Sequence, residues 1–157
     1  MRATPFIAAL AAAAAGTAAV AVTAAGQAPP ADQPKTIQLI EKKTTFKLID
    51  NGRRGESAGD VGVLSGDLLG TDRKRVGRFL GTCVIFKPSA GRTQCTFTLS
   101  LADGQITTQA GYGRGFNGNE VVHEAVVGGT RTYSDARGEV VSEETGATTS
   151  KLTIQLN

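Results

Sequence analysis

The chain predicts an all-β fold, an eight-stranded antiparallel up-and-down barrel, and three observations point there. Turn signals recur at short intervals, with no sustained helical period. The segments between them carry one apolar and one polar face each, as an antiparallel sheet with one wet side does. The links are short, which makes sequential strands antiparallel neighbours. Closing eight of them on themselves removes exposed edges.

The first stretch is an address rather than structure. Arg2 and the free amino terminus give a positive start, and Phe6 to Val22 is an unbroken run of apolar or small residues with ten alanines from Ala8 to Ala21. Small residues crowd the exit at Thr23, Ala24, Ala25 and Gly26. That order predicts a secretory signal over residues 1–25, cut after Ala25, and a secreted product with no membrane insertion after cleavage. Residues 26–35, with Pro29, Pro30 and Pro34, read as an extended leader, and residues 36–157 as the barrel domain.

The strands follow in order. Ile37 to Ile49 alternates at its ends, through Ile37 and Leu39 and again through Phe46 and Leu48. Asp50 to Gly55 is a loop by composition. Val61 to Leu69 follows, then a loop at Asp72-Arg73-Lys74. Arg75–Phe86 and Thr93–Leu101 form a hairpin joined by Pro88-Ser89-Ala90-Gly91. Asp103-Gly104 reads as a type I′ turn into Gln105–Tyr112. After the glycine-rich stretch Gly113 to Asn119 come Val121–Val127, Gly138–Glu144 and Thr149–Leu156. A helical turn fits only between Thr130 and Ala136. Phe79, Cys83, Ile85, Phe97, Leu99 and Leu101 share the apolar parity of the hairpin, and Phe97 and Leu99 are expected to line the ligand space. Gly81, Ala110, Ala125 and Thr108 are small inward positions, which either leave a cavity or accommodate large neighbours.

Cys83 and Cys95 are the two cysteines of an exported chain, which reads as one disulfide. A hairpin turning about Ser89 sets them directly opposite each other. Without the signal the chain keeps 16 basic residues (17 less Arg2) against 14 acidic ones, too even a balance for nucleic acid. No metal-ligand cluster is legible, so no metal is expected.

Val126-Val127-Gly128-Gly129-Thr130, followed by Ala136-Arg137-Gly138-Glu139, resembles the closing signature of the allene oxide cyclase-like and dirigent-like barrels. Val76-Gly77-Arg78 with Gly81, Ser57-Ala58-Gly59-Asp60, and the spacing from Cys83 through Gln94-Cys95-Thr96 to Asp103-Gly104-Gln105-Ile106 resemble it too. Arg131 departs from the pattern, where a small residue is usual. The resemblance spans roughly Thr36 to Leu156. It implies an eight-stranded barrel with an apolar cavity that binds an apolar small molecule. Members include cofactor-free cyclases and stereochemical guides, acting through confinement and a few steering polar groups, so the resemblance also implies that no organic cofactor is used. A carrier or a filled structural barrel is the alternative, and oligomeric state stays open.

Few residues are left for chemistry. Asp60 at a strand start is a candidate acid or base. Tyr112 shares parity with Ile106 and Ala110 and brings a hydroxyl towards one barrel end. His123, the sole histidine, shares parity with Ala125 and Val127 and would be a proton shuttle if inward. Arg114 is a candidate guide for an acidic ligand group. Glu41 and Glu124 rank below these, and Arg78 is expected outside. The loops Asp50–Asp60 and Gly113–Glu120 follow strands one and five and are expected to border one mouth, with Tyr112 and Asp60 as its leading pair. Gly113 to Gly118 spells GxGxxG, but a strand rather than a helix follows it. His123-Glu124 lacks a second histidine, and the basic run at Arg73 lacks an aromatic platform.

Overall fold

A computed structural model describes residues 35–113 and 121–157. The segment expected to be a signal and most of the expected leader lie outside these residues. Eight strands close into one antiparallel barrel in chain order: β1 (Lys35–Ile49), β2 (Val61–Leu69), β3 (Arg75–Lys87), β4 (Arg92–Leu101), β5 (Gly104–Tyr112), β6 (Val121–Gly129), β7 (Gly138–Gly146) and β8 (Thr149–Leu156). β1 pairs with β8 from Lys35↔Leu156 to Lys42↔Thr149, which closes the ring. The helical content of the described residues is two single 3₁₀ turns, Pro88–Ala90 and Arg131–Tyr133.

Five bulges bend four of the strands, two of them on β3, and each leaves one residue out of a ladder: Thr44, Val76, Phe86, Val127 and Thr145. Bulges sharpen twist and help a sheet close. They also decide which side chains face water. Val76, Phe86 and Val127 are 42 %, 60 % and 50 % exposed.

The core lies inside the barrel. Phe79, Leu68, Ile106, Val140, Leu152 and Ile154 are fully buried or nearly so. Two glycines make room for its aromatic rings. A Cβ on Gly81 would lie 2.4 Å from the Phe97 ring, and one on Gly66 would lie 2.5 Å from the Phe79 ring. These small inward positions are therefore filled by their neighbours. Ala110 and Thr108 also point in, but Ala125 is exposed on the outer face.

Cys83 and Cys95 are opposite each other in the β3–β4 register, 4.0 Å apart at Cα, and bonded. The β4–β5 turn differs from the expected one. Leu101 pairs with Gly104, so the turn residues are Ala102 and Asp103, and Asp103 has no positive φ. Gly104 begins β5 at φ +147°, where a Cβ would meet the Thr130 carbonyl oxygen at 2.2 Å. The glycine is required there by a neighbouring backbone rather than by a type I′ turn.

Candidate functional site

β5 and β6 run side by side as far as Gln109↔Ala125, and the ladder stops there. Above that point β5 sends Thr108, Ala110 and Tyr112 to the inner face. The ladder's pair numbers sum to 235 at Ile106↔Gly129 and to 234 at Thr108↔Val126. The Val127 bulge thus moves the even-numbered residues of β6 to the inside. Glu124 and Val126 are buried, whereas His123, Ala125 and Val127 are exposed.

Glu124 is the centre of the interior polar group. It is 6 % exposed, and both carboxylate oxygens accept hydrogen bonds from β5. Thr108 Oγ1 donates to Oε2 at 2.5 Å, and Tyr112 OH donates to Oε1 at 3.1 Å. Burial pushes the Glu124 carboxyl above the ordinary carboxylate range, against the two donors, which pull it down. Glu41 enters from β1, on the parity of Ile37 and Leu39. Its carboxyl is pushed up to about 7, first by burial and then by the Glu124 charge; Lys43 opposes the shift and Glu144 adds to it. A neighbouring carboxylate in a poorly solvated space disfavours ionisation, so Glu41 holds its proton to higher pH than an ordinary glutamate. Phe97, Leu99, Ile106, Val126 and Val140 belong to the buried apolar core of the same barrel. A proton donor or acceptor above an apolar floor can act on an unsaturated or enolisable substrate without further groups.

The other candidates stand elsewhere. Asp60 is 0 % exposed, and its carboxylate is held by its own loop. It accepts hydrogen bonds from the Ser57 and Asn51 backbone N–H groups at 2.8 and 2.9 Å and from Ser57 Oγ at 3.2 Å. The Ser57 amide first, and the Asn51 amide second, hold its carboxyl pKa below the usual carboxylate range. Such a group stays ionised and anchors the β1–β2 loop. Tyr112 and Asp60, expected as a pair, therefore serve different partners. His123 lies outside, with Nδ1 3.2 Å from Glu139 on β7, so it does not reach the interior. Arg78 is exposed on the outer face. Phe97 and Leu99 lie in the inner wall at 6 % and 2 % exposure. Arg114 lies outside the described residues, as does most of the loop expected to share a mouth with Asp50–Asp60.

A concavity of about 350 Å³ sits at the other end, lined by Lys35, Thr132, Tyr133, Asp135 and Leu156 among others. Lys35 Nζ stands 5.2 Å from the centre of the Tyr133 ring. The concavity is built on the Gly-Gly-Thr turn.

Sequence reading ranked Glu124 low because β6 is apolar on both faces, so parity alone does not say which face is inside. A carboxylate within an apolar strand, beside a strand with Thr108 and Tyr112 four apart on one face, is the signal that would have found it.

Similarity to known proteins agrees with this architecture. No curated protein matches the chain in sequence. Among solved structures, a pyocyanin demethylase superposes with a TM-score of 0.67 at 26 % identity, covering 78 % of this chain and 100 % of that one. A Diels-Alderase from Streptomyces koyangensis superposes at 0.64 with 16 % identity, covering 79 % and 63 %. A pterocarpan synthase dirigent protein does so at 0.62 with 15 % identity, covering 80 % and 95 %. Residues 37–155 match one family along nearly the whole barrel. On that match, and with the eight strands in the expected order, the chain belongs to the allene oxide cyclase barrel-like domain family.

Proposed function

We propose that the barrel binds an apolar, unsaturated small molecule inside and moves a proton on it without a cofactor, as an isomerase or cyclase, with Glu124 as the acid–base group. The observation that carries this is the convergence of Glu124, Thr108 and Tyr112 on the inner face, with Glu41 raised by burial and by the Glu124 charge. A pure carrier needs no such group, and burying a carboxyl without use costs stability. Thr108 and Tyr112 orient the carboxyl, and Tyr112 stands at the substrate side of it. Confinement against Phe97 and Leu99 selects one reactive conformer. The likeness to a pyocyanin demethylase, at 26 % identity, supports enzyme action on a small molecule. Export, with removal of residues 1–25, is part of the proposal. It rests on the signal-like start and on the Cys83–Cys95 disulfide.

The test is a thermal-shift screen of conjugated fatty acids, terpenoids and fused heteroaromatics, pyocyanin included. Each binder is then followed by liquid chromatography and mass spectrometry with wild type and Glu124→Gln. Conversion by wild type alone, with binding kept in the variant, supports the proposal. Binders left unchanged by both proteins would make the barrel a carrier.

A further inference from the structure

The end of the barrel that bears the β1–β2 and β3–β4 loops finishes in an apolar rim. Leu48 and Ile49 close β1 and are 45 % and 40 % exposed. Phe86, outside the β3 ladder at its bulge, is 60 % exposed. The three sit along one edge. Ile49 pairs with Val61 and Val61 with Val84, while Gly59 and Asp60 bond to Ile85, the neighbour of Phe86.

A basic collar surrounds these tips. Lys47 precedes them on β1, Arg53 and Arg54 follow in the loop, and Lys87 pairs with Arg92 at the head of the β3–β4 hairpin. All five are exposed, and among the described residues none is in an ion pair. Two of the three acidic groups in the same loop are engaged with backbone. Asp50 accepts from the Gly55 N–H, and Asp60 accepts from Asn51 and Ser57. Glu56 is the exposed exception. Glu139 and Glu143 stand across the barrel on β7, already facing His123 and Lys151.

Apolar tips inside a ring of cations match a surface that offers anionic groups above a hydrocarbon layer. A soluble polyanion would satisfy the charge and leave Leu48, Ile49 and Phe86 in water. We infer that this rim docks on an anionic lipid surface, with those three side chains at the headgroup–acyl boundary and the five cations over the phosphates. Lysine and arginine stems lie along apolar surface while their heads stay with the charge, which suits the collar. The protein lies on the bilayer and does not span it, and the inference stands apart from the role of Glu124.

The test is co-sedimentation of the full chain with vesicles of phosphatidylcholine containing one quarter phosphatidylglycerol, against vesicles of phosphatidylcholine alone. Binding is expected with the anionic vesicles only, and is expected to vanish when salt cuts the Debye length to about 3 Å. Arg53→Gln/Arg54→Gln/Lys87→Gln/Arg92→Gln should lose about fivefold in partition for each charge removed. Leu48→Ser/Ile49→Ser/Phe86→Ser should lose roughly tenfold or more. Phe86→Ser alone, at a position outside the ladder, serves if the triple variant fails to fold. Equal binding to both vesicles, a serine variant that binds like wild type, or capture by polyglutamate with no vesicle binding would each overturn the inference.

Discussion

Replacing Glu41 by glutamine should make the protein more stable above neutral pH and leave it unchanged in acid. The Glu41 carboxyl is raised from 4.5 to about 7 in the folded chain, by burial first and by Glu124 second. A group whose folded value lies above its unfolded one keeps its proton longer in the native state. Stability therefore falls as pH rises from the unfolded value to the folded one, and the full loss is present above it. The interval is about 2.5 units, and at about 1.36 kcal/mol per unit it amounts to roughly 3 kcal/mol. Glutamine has no proton to lose. Urea unfolding followed by circular dichroism should give matching midpoints for wild type and Glu41→Gln near about pH 4, and an advantage of roughly 3 kcal/mol for the variant near about pH 8. Adding Glu124→Gln should narrow the wild-type window, since the like charge goes and the burial stays. A constant gap between the two proteins at all pH values would refute the reasoning, as would a wild type that gains on the variant with rising pH.

Three further outcomes follow from the packing. Cys83→Ala/Cys95→Ala opens a bridge of sequence separation 12 and should cost about 2–3 kcal/mol in denaturant titration. Gly81→Val sets a side chain where the Phe97 ring lies 2.4 Å from the Cβ position; overpacking should cost about 1–3 kcal/mol, read as a lowered thermal midpoint. Arg131 sits at φ +55° at the start of its 3₁₀ turn. Arg131→Gly should stabilise by up to about 1 kcal/mol, the relief of a left-handed residue less the entropy glycine adds to the unfolded chain.

Much of the fold was legible because its signals are local. Alternation bounded β2 and β8 at the residues where the ladders end. A hairpin centred on Ser89 sets Cys83 opposite Cys95, and the β3–β4 register does the same. The site was less legible because it depends on register. Carried past Val127 without a bulge, the β5–β6 ladder puts His123 opposite Tyr112 and turns Glu124 outward. The bulge shifts the sum by one and reverses the faces, so the histidine goes to water and the glutamate to the core. Asp60 is placed by a different kind of contact. Ser57 and Asn51, three and nine residues earlier, capture its carboxylate, and a loop that folds back on itself competes with any role at the mouth. At Asp103-Gly104 the sequence pair suited a type I′ turn, but contact with the Thr130 carbonyl moved the glycine into the strand.

The central claim is that Glu124 moves protons on a bound ligand. It is tested most directly by incubating a binder from the thermal-shift screen with the protein in deuterium oxide and weighing the recovered compound. The account predicts deuterium at carbon with wild type and none with Glu124→Gln at matched occupancy. Unlabelled ligand from wild type, or equal labelling by the two proteins, would contradict it.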